Sequence, residues 1–345
     1  MYPLLLPPDW VNLPGGDAGV SGALTARDRK LEKSAELVRT ILPLARSLES
    51  ANALYSASSN VLEAEPGAAR WYLDLSGMSR KLITKVSERY AEYGLTVSPE
   101  TVATNLSAGR AVSSENLESF SRWINSELEE LYPANGRSTD LALATVLAMN
   151  GARIDGQVRN EAGEDAVLIV KTLLVGAMLR RGRQVEVNSS AGGWTIYSPA
   201  EHALADQRRL RFDGNLVCEF VAGGNRPDLK VLLHGVTILV GEIKGRTDLS
   251  NLWESWMPQI NGHLQTWAAE NGQAPRVFFG TIVTEEMIGG VTRGGTRHTG
   301  LRAFHRSGHL NAIYNLTRIA EGNRAAEAAF EQLVGELCRV STAAR

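Results

Sequence analysis

Asp228, Glu242 and Lys244 are the residues of this chain whose types and spacing best suit chemistry. Asp228 follows Pro227, and a mostly apolar run then leads to Glu242-Ile243-Lys244. Residues 236–243 are β-branched and apolar enough to form a buried strand. Side chains alternate along a strand, so Glu242 and Lys244 share one face and Ile243 points the other way. A hairpin turning near His234-Gly235 would return Asp228 to that same face. Two carboxylates and an ammonium would then converge, at a cost in desolvation unless something meets them. Hard oxygen ligands from two carboxylates, completed by a phosphate oxygen and waters, are what Mg²⁺ prefers. Such an ion polarises a phosphate and lowers the pKa of a bound water. Lys244 would orient that water and offset the charge gathering on phosphorus. The chemistry expected is therefore metal-assisted phosphodiester hydrolysis. Glu-x-Lys alone is a common tripeptide and often ends a strand as a solvated ion pair. Pro-Asp at the right remove and the quality of the strand favour the chemical reading.

The spaced pattern Pro-Asp…Glu-x-Lys resembles the signature of the PD-(D/E)xK nuclease superfamily. The resemblance implies that Asp228 and Glu242 are metal ligands and Lys244 the catalytic lysine. A Glu on the first core helix helps organise the metal site in many of these nucleases, and Glu164 would match it. The alternative for Glu161 and Glu164 is a pair of charges complementing the dipole at a helix start. Glu-Ile-Lys-Gly-Arg followed by an Asp and a Trp/Glu-containing helix is similar to type II restriction endonucleases. The XcyI type, which cuts CCCGGG, is the nearer likeness, and the AvaI/BsoBI type, with its CYCGRG site, the second. The similarity covers mainly residues 226–267, with a weaker likeness near 310–314, and Trp253-Glu254-Ser255-Trp256 departs from the second type. It implies a Mg²⁺-dependent homodimer, each subunit cutting one strand of a palindromic site in double-stranded DNA to leave 5′-phosphates; two-fold protein symmetry suits two-fold DNA. A repair or branch-cleaving nuclease, or a non-cleaving DNA-binding protein on a nuclease-like core, are the competing readings.

A second feature bears on the substrate. Residues 290–325 carry Arg293, Arg297, Arg302, Arg306, Arg318 and Arg324, with His298, His305 and His309, against the single acid Glu321. The glycine-punctuated portion 289–309 reads as a long loop, and long loops in compact domains are usually functional. Arginine reads guanine edges bidentately and grips phosphates without regard to sequence. Arg293, Arg297, His298 and Arg302, with Arg246 directly after the motif, are the candidate DNA contacts. The three histidines lack cysteine or acidic partners at ligand spacing, so zinc is not expected.

These residues need a frame. Residues 167–179 are apolar almost all round, as in a helix packed beneath a sheet, and Arg180-Arg181-Gly182-Arg183 supplies cations and a cap for its end. Strand candidates follow at 184–187, 194–197, 216–221 and 276–283, whereas Gln207-Arg208-Arg209-Leu210-Arg211 reads as a cationic loop. After the motif, Leu252, Trp253, Trp256, Ile260, Leu264 and Trp267 recur at helical spacing, a stripe better suited to a core or dimer contact than to base stacking. Gln259 and His263 lie on that helix and are weak candidates for the cleft. The fold class expected is α/β (α+β): a mixed central sheet flanked by helices at 151–345, preceded by a mainly helical region at 1–150. In that first region, helices are expected over 25–49, 68–93 and 114–132, and from Ser98-Pro99-Glu100, with Ser98 as cap.

Composition sets wider bounds. Apolar residues at 43% and charged residues at 21% suit a globular protein, with one large or two ordinary domains in 345 residues. The net charge of -2 speaks mildly against nucleic acid, although a local basic cleft suffices to hold DNA. Cys218 and Cys338 make neither a disulfide framework nor a zinc cluster. The opening MYPLLLPPDW has no basic segment and a short, proline-broken apolar run, so no leader and a cytoplasmic location are expected.

Overall fold

In the computed structural model of the chain, the residues described are 18–343 apart from 86, 189–192, 222–225, 247–250, 271 and 273. The chain divides into two compact units, residues 27–158 and a unit containing 159–345. The division falls inside the helix Thr139–Arg180 (α1), where a boundary near 150 had been expected.

The unit 27–158 is built from helices. Ser98 accepts a hydrogen bond from the Thr101 N–H and caps Pro99–Ser107, while Ser113 accepts from the Asn116 N–H and caps Ser114–Leu131. The expected helix over 68–93 is broken, because Gly77 takes a left-handed conformation (φ 69°) just past Ala68–Leu75. Trp71, Tyr72, Phe120 and Trp123 fill the core. Asp74, 1% exposed, lies among them with its partners on hand. Arg70 Nε donates to its Oδ1 at 3.0 Å, Arg153 pairs with the same oxygen, and Asn150 Nδ2 donates to Oδ2 at 2.7 Å.

The second unit is mixed α/β, with an eight-stranded, mostly antiparallel sheet. Its strands are β1 (Val185–Asn188), β2 (Trp194–Ile196), β3 (Arg209–Phe212), β4 (Leu216–Phe220), β5 (Leu229–Leu233), β6 (Val236–Lys244), β7 (Arg276–Gly280) and β10 (Ala312–Asn315). A separate ribbon pairs β8 (Val291–Arg293) with β9 (Thr296–His298). The sheet order is β10-β7-β6-β5-β4-β3-β1-β2, with β6, β7 and β10 parallel to one another and the rest antiparallel.

Local rules explain the meander. His234 and Gly235 both have positive φ (48° and 80°), which a two-residue hairpin turn demands, and Leu233 pairs with Val236 across it. One face of β3, β4 and β5 alternates Leu210, Phe212, Leu216, Cys218, Phe220, Leu229, Val231 and Leu233, all buried. Ala166, Val170, Leu174 and Met178 of α1 belong to the same core. Leu229 pairs with Gly241, so Gly241, Ile243 and Gly245 continue that α1 face. At Gly245 a Cβ would lie 1.7 Å from the Ala162 carbonyl oxygen. Only glycine permits this approach of helix backbone to strand end. The opposite face of β6 meets the helix Met257–Glu270 (α2), with Ile260, Leu264 and Trp267 fully buried.

Three expectations are corrected. Arg209–Phe212 is a strand rather than a cationic loop: Arg209 and Arg211 point to one face, where they pair with Glu219 (3.0 Å) and Glu186 (2.6 Å), while Leu210 and Phe212 are buried. Residues 289–309 are not a long loop but the β8–β9 ribbon followed by the short helix Leu301–Arg306 (α3). Gly294 and Gly295, with φ of 54° and 79°, make its two-residue turn. Glu161 and Glu164 do not start a helix, since α1 begins at Thr139. Among the described residues no helix is long and apolar enough to cross a membrane.

Candidate active site

Strand alternation and the hairpin bring Asp228, Glu242 and Lys244 to the C-terminal end of β6. Asp228 precedes β5, and its Oδ2 accepts a hydrogen bond from the Ile243 N–H at 2.9 Å. That bond staples the aspartate to the backbone between Glu242 and Lys244. Glu242 is 1% exposed, and the Lys244 ammonium is in direct contact with its Oε1. The Lys244 side chain is 18% exposed, enough for its outer end to meet solvent or substrate.

The electrostatics are unbalanced. Burial, reinforced by the neighbouring charge of Glu242, pushes the Asp228 carboxyl up to about 6. Lys244, the Ile243 N–H and His263 pull the other way without cancelling that rise. Two carboxylates thus compete for one ammonium in a largely desolvated corner.

A fourth side chain completes the cluster. His263 Nδ1 on α2 lies 3.2 Å from both Oε1 and Oε2 of Glu242. Its side chain is 12% exposed, and its ring stacks on Trp267 one turn later (centroids 5.4 Å, planes 27°). Gln259, a turn earlier on the helix, is exposed. The sequence marked His263 as only a weak candidate, because a lone histidine on a helical stripe carries no spacing signal of its own.

Glu164 does not join the cluster. It is exposed on α1, whose buried residues near the strand end are Ala162 and Ala166. At about 100° per residue Glu164 lies on nearly the opposite side of the helix from Ala162. That pair, moreover, covers the face of β6 carrying Ile243, not the one carrying Glu242. Glu161 and Asp165, next to Ala162 and Ala166 in sequence, are half-buried.

The five cationic candidates divide in two. Arg293 and Arg297 on the ribbon, and Arg302 on α3, are exposed. Arg293 meets only the exposed Glu286 at 3.3 Å, a pair worth little in water. Thr292 pairs with Arg297 and Arg293 with Thr296, so the two ribbon arginines project from opposite faces. Arg246 and His298 are engaged instead. The Arg246 guanidinium lies over the Trp256 ring at 4.5 Å, and its backbone N–H donates to Thr281 Oγ1 at 2.9 Å. The His298 ring packs on Trp253 at 5.4 Å, seating the base of the ribbon on the helical turn that precedes α2. Trp253, Trp256 and Trp267 are at most 4% exposed and belong to the core, not to a base-stacking surface.

No family model matches the sequence, and no curated protein matches it. Asp228 and Glu242 are the residues suited to hold a hard cation. Among the described residues, no group of three or more His, Cys, Asp or Glu is placed to hold an ion. Two carboxylates suffice for Mg²⁺, which keeps several waters and takes its remaining ligands from a phosphate. Burial and, after it, the repulsion between them raise the Asp228 pKa, and a divalent charge between them would relieve both.

Proposed function

We propose that the chain is a Mg²⁺-dependent endonuclease of double-stranded DNA, built on a PD-(D/E)xK core and acting as a type II restriction enzyme. The observation that carries this reading is the convergence of Asp228, Glu242 and Lys244 at one strand end, with Asp228 held against the motif backbone. The element order supports it: α1, an antiparallel meander ending in β6, α2, then β7 parallel to β6. A bound Mg²⁺ would polarise the scissile phosphate and lower the pKa of a bound water. Asp228 and Glu242 supply its protein oxygens. Lys244, freed from Glu242, would hydrogen-bond the attacking water and offset charge on the phosphate oxygens. Arg293, Arg297 and Arg302 grip the DNA from the ribbon and α3. A two-stranded ribbon is narrow enough to enter the major groove, where arginine distinguishes guanine. Arg246 and His298 act on DNA only if their tryptophan contacts open. The enzyme works as a homodimer in the cytoplasm, each subunit cutting one strand of a palindromic, GC-rich site resembling CCCGGG and leaving 5′-phosphates.

Digesting plasmid and phage DNA with the full chain and Mg²⁺, then sequencing the ends, tests this directly. Discrete fragments with one sequence at every end are expected. Preference for junctions or free ends would make it a repair or branch-cleaving nuclease. Binding without cutting in either Mg²⁺ or Mn²⁺ would sink the enzymatic reading.

A further inference from the structure

We infer that His263 is a positioning residue for the metal site: it holds the Glu242 carboxylate in its ligating orientation when Lys244 leaves it. The inference rests on the nuclease reading of Asp228, Glu242 and Lys244. Glu242 has two partners, and they differ in kind. Lys244 is a flexible ammonium whose side chain reaches solvent, and the proposed chemistry needs it at the attacking water. Once it turns there, a buried carboxylate with no other donor would be free to rotate, or would be left poorly satisfied. His263 supplies the fixed donor. Its Nδ1 is equidistant from both carboxylate oxygens, and its ring is clamped by the Trp267 stack on a helix locked into the core by Ile260 and Leu264. A carboxylate accepts and does not donate, so the ring must carry a proton on Nδ1. Residues that orient a metal ligand in this way commonly set affinity by one to two orders of magnitude.

The test titrates the DNA-free full-length chain with Mn²⁺, followed by electron paramagnetic resonance, in the wild type, His263→Ala and His263→Asn. Asparagine places an amide N–H near the position of Nδ1. Metal affinity should fall by about 10–100-fold in His263→Ala and largely recover in His263→Asn. In cleavage assays the metal concentration for half-maximal rate should rise by a similar factor, while the rate at saturating metal changes little. Affinity in His263→Ala within about twofold of wild type would overturn the inference and leave the nuclease reading standing. A wild type that takes up no Mn²⁺ would overturn both. If His263→Ala fails to fold, nitrogen NMR of the wild type decides. A ring protonated at Nδ1, whose signal moves with added Mg²⁺, supports the role; a ring protonated at Nε2 alone overturns it.

Discussion

Each unit of this molecule draws an aspartate out of water, Asp74 fully and Asp228 in part, and the two are treated in opposite ways. Asp74, in the helical unit, is met by two guanidiniums and an amide, so every lone pair that matters has a donor. Asp228, in the sheet unit, has one backbone N–H and sits against a second carboxylate that already occupies the nearby ammonium. The first arrangement is self-sufficient. The second carries surplus negative charge that the fold does not neutralise, and such imbalance marks a place that waits for something positive. The same contrast separates the arginines: Arg209 and Arg211 are answered by Glu219 and Glu186 on the sheet, whereas Arg297 is exposed on a ribbon.

That contrast can be broken from either side. The largest effect is expected from Lys244→Ala or Asp228→Ala, which should lower cleavage at least 1,000-fold in single-turnover assays while sparing specific DNA binding, because several kcal/mol of charge stabilisation is lost in the transition state. A near wild-type rate in either variant would refute the site. Asp74→Ala should destabilise the helical unit by about 1.5–3 kcal/mol in urea titrations, since Arg153 and the buried Asn150 amide lose their carboxylate while Arg70 keeps Glu100 at 2.7 Å. Asp228→Asn should do the reverse and stabilise the sheet unit by on the order of 1–3 kcal/mol at pH 7 while abolishing cleavage.

The sign of that last effect follows from linkage. The Asp228 carboxyl titrates near 6 when folded, against an ordinary value of 3.8, so the folded state holds its proton more tightly. Its penalty is absent below about pH 4, grows as pH rises to about 6, and stays constant above. The stability advantage of Asp228→Asn over wild type should grow over that window, and a constant advantage from pH 4 to 8 would contradict the raised pKa. The smallest effects sharpen the arginine contrast. Arg297→Ala should weaken DNA binding, reducing the salt slope by about one if it holds a phosphate or costing about 1–3 kcal/mol at one base position if it reads a base edge. Arg211→Ala should leave DNA affinity unchanged within error.

Much of this was legible in residue types. The hairpin at His234-Gly235, the strand ending in Glu-Ile-Lys and the Ser98 cap follow from local rules that tertiary context did not override. β3 was missed although Leu210 and Phe212 alternate with Arg209 and Arg211, because the cationic run masked the period-two pattern. The ribbon was hidden by its own turn, since Gly294-Gly295 reads equally well as loop. Glu164 failed for a matter of phase: which acid borders a strand end depends on where a helix packs, and α1 runs straight through Gly151 and Gly156, which suggest a break. His263 needed the fold itself, because residues 242 and 263 meet only across sheet and helix.

One atom that is missing from the chain has a consequence for its evolution. With a carbonyl oxygen 1.7 Å from where a methyl group would begin, codon 245 has nowhere to go, and even alanine would prise helix from sheet beside Glu242 and Lys244. In a saturation library selected for folding alone, with activity ignored, that codon should return glycine almost without exception, while Asp228 and Glu242 drift.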